Sequence, residues 1–187
     1  NKEQAISGVT SHLRQAVHRQ MVADVPLGAF LSGGLDSSSV VAFAKEVNPD
    51  IKCFTIETKG SQDKGAVDDL PYAKRVSKYL NVSLEVVSID SHKMAGDLES
   101  MIIQLDEPLA DPAALNVLYI SQLAKEQGIK VLLSGAGGDD LFTGYRRHCA
   151  LQLERYWGWL PKNVRTGLES ITRNLNTNNS INRRIVK

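Results

Sequence analysis

The sequence lacks an excess of either charge: 22 lysines and arginines stand against 21 aspartates and glutamates in 187 residues. That balance leaves no basic footprint for nucleic acid and none for an anionic membrane surface, so the partner expected is a small molecule. Cysteine is scarce as well. Cys53 and Cys149 stand alone, without CxxC spacing or a histidine cluster, which argues against a zinc site or a disulfide framework and fits free thiols in a reducing compartment. No apolar run approaches the ~20 residues that span a bilayer, and no charged-then-apolar leader opens the chain. A soluble, cytoplasmic protein is the expectation. The length supports one substantial domain plus a tail. The chain opens at Asn1 rather than Met, in a segment that reads as the middle of something larger.

What is present is concentrated in residues 27–39, LGAFLSGGLDSSS. Leu27, Ala29, Phe30 and Leu31 form a short apolar run of buried-strand type, and Gly33 and Gly34 permit a tight turn that lets backbone approach a ligand. Ser37, Ser38 and Ser39 follow as cap-type hydroxyls where a helix begins. Unpaired N–H groups at a helix N-terminus, with the positive end of its dipole, suit an oligophosphate. Asp36 is the odd residue there. A carboxylate inside an anion cradle repels phosphate unless a divalent cation sits between them, which argues for magnesium bound with the nucleotide. No lysine follows the glycines, so this is not a Walker A loop, and adjacent glycines do not make a dinucleotide fingerprint. The residues resemble instead the PP-loop, SGG-x-DS, of ATP pyrophosphatases, which cleave ATP between its α and β phosphates. The plainer alternative is an ordinary strand-to-helix turn rich in Gly and Ser.

Around that loop the spacing predicts a helix over 6–21, from Ile6, Val9, Leu13, Val17 and Met21, and another over 38–47 ended by Asn48-Pro49. Strands are expected over 51–57, 83–89 and 130–133. A polar loop over 58–65 is placed to wall a site, and helices are expected over 68–80, from Asp90-Ser91 to Leu105, and over 113–127 with Gly128 closing the last. Strand and helix alternate. The expected fold class is therefore α/β, a parallel twisted sheet with helices on both faces and ligands at the carboxyl ends of its strands. In the connection 105–112, Asp106, Glu107 and Asp111 could face a substrate amine or a metal, or cap the next helix. Directly after the fourth strand comes SGAGGDDLFTGYRR, residues 134–147. Its glycines again let backbone pass close to a ligand. Asp139 and Asp140 either cap a following helix, or Asp139 holds magnesium from the side opposite Asp36.

With LSGGLDSS and SGAGGDDLFTGY as anchors, residues 5–150 resemble the synthetase domain of the glutamine-dependent asparagine synthetase family. That family also holds β-lactam synthetases and amidotransferases of surface-polysaccharide biosynthesis. The resemblance implies an adenine nucleotide α-hydrolase-like fold, and a reaction in which ATP adenylates a carboxylate, aspartate or similar, before ammonia displaces AMP to give an amide. It also implies the site. Leu31, Ser32, Gly33, Gly34, Leu35, Asp36 and Ser37 would hold ATP, Ile56 would lie against adenine, Ser134 and Gly135 would contact the nucleotide, and Asp36 and Asp139 would be catalytic through a shared magnesium. The sequence departs from the family at Ala136, where a glutamate tied to acyl-adenylate and amide formation is usual, and at Asp140, where the acidic pair usually ends in glutamate. A sugar acid as acceptor, or a non-catalytic ATP-binding module, are the alternatives. The expected organisation is a PP-loop domain over 1–150 and, over 151–187, the truncated helical start of the rest, with Leu151, Leu153, Tyr156, Trp157 and Trp159 as core or domain contact. The amino-terminal glutaminase domain that supplies ammonia and the downstream lysine that stabilises adenylation are expected outside this chain. The fragment is expected to be inactive alone if they are required, and a homodimer is left open.

Overall fold

The computed structural model describes residues 1–59, 69–107, 109, 111, 113–145, 148–149, 151–152, 156, 158–161, 163–164 and 166–167. The chain divides into two compact units, Asn1–Gly138 and Asp139–Lys187. In the first unit four parallel strands, β1 (Leu27–Phe30), β2 (Lys52–Lys59), β3 (Ser83–Asp90) and β4 (Val131–Leu133), lie in the order β3-β2-β1-β4. The register pairs Ala29 of β1 with Cys53 on one side and with Leu133 on the other.

Alternation along β1 and β2 separates two cores. Leu27, Ala29, Leu31 and Cys53 pack with Val17 and Met21 of the α1 region (α1, Lys2–Gln20), Val41 and Ala44 of α2 (Leu35–Val47) and Ala73 of α3 (Leu70–Leu80). Phe54 goes to the other face with Ile120 and Ala124 of α5 (Ala113–Glu126), flanked by a further cluster in which Met101 of α4 (Ser91–Gln104) meets Ile89, Leu115 and Tyr119. Helices therefore cover both faces of a wholly parallel sheet, as the α/β reading expects. Cys53 is fully enclosed, and burial pushes its thiol up to about 12, so it is an inert core residue. Cys149 is exposed and free.

The chain runs β1, β2, β3 outward and then returns β4 to the opposite side of β1. The carboxyl ends of β1 and β4 thus form the switch point, where connections diverge and leave a crevice. Both glycine-rich stretches leave the sheet there.

Several boundaries differ from the periodicity. Helix α2 starts at Leu35 rather than Ser38, because Gly34, extended at φ −68° and ψ 163°, is its N-cap. The expected loop from 58 begins inside β2, which continues through Lys59, and its remainder to 65 lies outside the described residues. Asp90 caps α4 as expected, its carboxylate accepting from the N–H groups of His92 and Lys93, and Gly128 closes α5 at φ +78°.

Between α4 and α5, Tyr119 donates to Asp97 at 2.6 Å. The Lys93 side chain and then Tyr119 hold the Asp97 carboxyl below its ordinary range, while burial and the same carboxylate lift the Tyr119 phenol to about 12. A lowered folded-state carboxyl stabilises above the unfolded value of about 4 and loses that contribution as pH falls through the folded one. Tyr119→Phe is therefore expected to lower the melting temperature by about 3 °C at pH 7. The gap should close below pH ~4, and thermal unfolding at pH 7 and pH 3 reads the difference. An equal gap at both would remove Asp97 as the relevant acceptor.

Helix α6 (Gly138–Phe142) ends in a left-handed residue, Thr143 at φ +59°, and the Gly144 N–H returns to the Asp139 carbonyl at 2.9 Å. That 6→1 bond is a Schellman closure with threonine where glycine is usual. Tyr156 and Trp159 are 63% and 77% exposed, so they do not form a core among the described residues; Leu153 and Trp157 lie outside them.

Candidate nucleotide site

The loop after β1 is held by its own hydroxyls. Ser32 and Ser37 share an Oγ···Oγ hydrogen bond of 3.0 Å, the Ser32 N–H donates to Ser37 Oγ at 3.3 Å, and the Gly34 N–H donates to Ser32 Oγ at 3.3 Å. Gly33 sits at φ +81°, with its bare α-carbon against the first turn of α3. The serines do not cap α2 as their positions suggest. Ser38 and Ser39 turn back onto the carbonyls of Gly34 and Leu35, at 2.6 and 2.8 Å, because an N-cap already precedes them. The first intrahelical donor is the Ser38 N–H, bonded to Gly34 O at 3.0 Å. The N–H groups of Leu35, Asp36 and Ser37 come before it, at the positive end of a 13-residue helix.

Leu31 is fully buried and its N–H is bonded to Phe54 O, so its side chain belongs to the core and only its main chain reaches the rim. Leu35 is 82% exposed at the mouth of the loop. Ile56 stands opposite Val87 in the register, with its side chain packed on the α4/α5 side of the sheet.

The second loop closes on the first. After β4, Ser134 Oγ accepts from the Ala136 N–H at 3.1 Å, the Gly138 N–H donates to Gly135 O at 3.2 Å, and Gly137 adopts φ +89°. A methyl group at Gly135 would stand 2.7 Å from the Ser37 nitrogen and 2.9 Å from the Asp36 carbonyl carbon, so the two loops touch through bare backbone. At Gly138 it would meet the Asp36 carboxylate itself, 2.3 Å from Cγ. Ser32, Gly33, Gly34, Asp36, Ser37 and Gly135 are thereby gathered on one rim. Asp139 lies in the second unit, where its carboxylate rests against Gly144. Asp111 accepts from the Ala113 N–H at 2.9 Å and so serves as a cap of α5, while Asp106 and Glu107 are exposed. Spacing along the sequence had no means of pointing to Gly138 or to the support of Gly33 by α3, since both depend on contacts between distant segments.

The described residues hold no cluster of three or more metal-ligating side chains. Magnesium does not need one. It keeps waters and phosphate oxygens and takes one or two carboxylates, so Asp36 beside free N–H groups and a rim without side chains is a donor set that fits it with a nucleotide.

A parallel α/β sheet with two interlocking glycine-rich loops at its switch point is the architecture of a nucleotide-binding domain. The chain belongs to the asparagine synthase family, whose model matches residues 8–186. It is 34% identical to asparagine synthetase [glutamine-hydrolyzing] 1 of Bacillus subtilis over 144 residues, covering 77% of this chain and 22% of that protein. It is likewise 34% identical to a putative asparagine synthetase [glutamine-hydrolyzing] of Mycobacterium tuberculosis over 176 residues, 94% of this chain and 26% of that one. The amidase chyE of Penicillium rubens is 32% identical over 159 residues, 78% and 23% of the two chains. The chain thus spans about a quarter of the length of these relatives. Among the described residues no helix is long and apolar enough to cross a membrane.

Proposed function

We propose that this chain is the ATP-binding part of a ligase that forms an amide by way of an acyl-adenylate. The observation that carries the reading is the first turn of α2, whose N–H groups precede its first intrahelical bond beside a bare-glycine rim and a single carboxylate, Asp36. Backbone donors of Leu35, Asp36 and Ser37 take the phosphates, with the Leu31 main chain, Ser32, Gly33, Gly34, Ser134 and Gly135 shaping the pocket and Ile56 bordering adenine. Asp36 and Asp139 would hold magnesium, which when bound neutralises the charge that develops on departing pyrophosphate. A carboxylate oxygen of the acceptor attacks the α-phosphorus, the bond to pyrophosphate breaks, and ammonia then attacks the acyl carbon and expels AMP. Immobile donors at the helix terminus stabilise the charged leaving group without reorganising.

The acceptor is aspartate or a similar carboxylate, and a sugar acid is the alternative within the class. Two of the relatives are named glutamine-hydrolyzing, so we propose a glutaminase domain as partner, a PP-loop domain over 1–150 with a second helical part after it, and a cytoplasmic location consistent with two free thiols. A homodimer fits the same reading. Ala136 favours one second reading, a module that binds ATP without turnover, because its side chain moves no proton and makes no hydrogen bond.

Carboxylate-dependent exchange of labelled pyrophosphate into ATP by the full-length parent protein separates the two. Exchange with aspartate or a sugar acid, at a rate at least tenfold above the carboxylate-free background, is expected. ATP binding with no exchange for any acceptor would leave the binding module.

A further inference from the structure

Asn116 interrupts an apolar stripe. It stands four residues before Ile120 and seven before Leu123, in line with the side of α5 that packs with Phe30, Phe54 and Ile56. Its Oδ1 is closed off from solvent and takes no hydrogen bond among the described residues. A carboxamide oxygen left so forfeits the bond it makes in water, whereas leucine would continue the same stripe without that cost. Packing alone gives no reason for an amide at this position.

The height of Asn116 along the sheet supplies one. Lys52 Nζ, on the first residue of β2, donates to Gln127 Oε1 at 3.0 Å, and the Lys130 N–H donates to the Pro26 carbonyl just ahead of β1. The carboxyl end of α5 is thus tied to the amino ends of the strands, and the helix begins near their carboxyl ends. Asn116 precedes Gln127 by eleven residues, ~16 Å of helix, while Ile56 follows Lys52 by four, ~13 Å of strand. The amide therefore reaches the level of Ile56, on the edge where the glycine loop leaves β1. Phe30 and Ile56 are half-buried at that edge. Apolar walls with one inward acceptor suit a flat ring that carries an N–H donor on its rim.

We infer that Asn116 is a base-recognition residue, whose Oδ1 accepts a hydrogen bond from the 6-amino group of an adenine ring seated against Ile56. The inference rests on the nucleotide reading above and adds to it the group that tells one purine from another. Hypoxanthine and guanine carry a carbonyl oxygen in place of that amine, which sets acceptor against acceptor. A buried site built to receive an N–H rejects the analogue that lacks it, because its own polar atom is then left unpaired.

The test compares ATP with purine riboside triphosphate, which lacks only the 6-amino group, in calorimetric titrations of the full-length parent protein with magnesium present. The unsubstituted protein is expected to bind ATP about tenfold more tightly than the analogue. In Asn116→Leu the two affinities should come within two-fold of each other, through loss of ATP affinity alone. Without nucleotide, the same variant should melt about 2 °C higher, since its unpaired oxygen is gone. No preference for ATP in the unsubstituted protein, or a preference that survives in the variant, overturns the assignment while leaving the nucleotide reading in place. Equal weakening of both nucleotides does the same. A full-length protein that binds neither nucleotide overturns the reading itself, and the assignment with it. Should the leucine variant fail to fold, Asn116→Ala carries the same comparison, and a retained tenfold preference there overturns the assignment.

Discussion

Gly33→Ala is expected to cost about 3 kcal/mol of stability and to abolish nucleotide binding. Two effects add. An L-residue at φ +81° in the left-handed region loses roughly 1–2 kcal/mol. The new methyl carbon would stand 2.4 Å from the Tyr72 carbonyl carbon and 2.5 Å from the Ala73 nitrogen, and overpacking of this kind costs about 1–3 kcal/mol. The neighbour here is helix backbone, and Ala73 is fully buried in the core beneath it, so α3 cannot retreat without opening contacts to Val41 and Cys53. Gly128→Ala supplies the comparison. It carries almost the same dihedral, φ +78°, with nothing within 4 Å, so it should lose about 1 kcal/mol only. Denaturant midpoints of the two variants, with ATP titrations beside them, read the difference. Equal losses would mean that the contact with α3 is slack and that the loop is not braced from that side.

The second large effect changes sign with metal. Asp36→Asn should weaken ATP about 100-fold when magnesium is present, some 2.8 kcal/mol at 1.4 kcal/mol per tenfold. In the presence of a chelator it should bind ATP several-fold more tightly than the parent. The carboxylate stands at the first turn of α2, among the donors proposed for phosphate, so without a cation it repels what the helix terminus attracts. Asparagine keeps the shape and the place against Gly138, leaving charge as the variable. Calorimetric titration under both conditions decides the matter, and equal weakening in both would make Asp36 a structural residue of the loop.

The sheet and its two rim loops could be read from residues alone because each signal is local. Apolar runs of strand length alternate with helical spacings, and adjacent glycines mark the places where main chain must turn sharply. Placement of the two loops side by side also followed, since alternation of strand and helix implies a parallel sheet with its ligands at one end. The details that failed to show are those decided by competition between neighbours. Ser38 and Ser39 have the composition of caps, yet Gly34 takes the cap position with no side chain, and the hydroxyls fold back onto carbonyls. Asp111 accepts from the Ala113 N–H at the start of α5, a bond that spacing alone did not single out. Gly138 was one of the glycines expected to let backbone pass close to a ligand, and what lies against it is the Asp36 carboxylate, a neighbour that only the fold supplies.

The rim at the switch point is drawn almost wholly in peptide groups. Leu31 sends its side chain into the core, Ser32 and Ser37 spend their hydroxyls on one another, and Gly33, Gly34 and Gly135 have nothing to send. Such a surface is indifferent to most of the vocabulary of the genetic code. Exchange of one apolar residue for another behind it leaves the pattern of donors as it was, whereas a single extra carbon in front of it is an obstruction. Descendants of this chain are thus free to redraw the surroundings and the acceptor while inheriting the same nucleotide seat, so long as a few positions go on carrying no side chain.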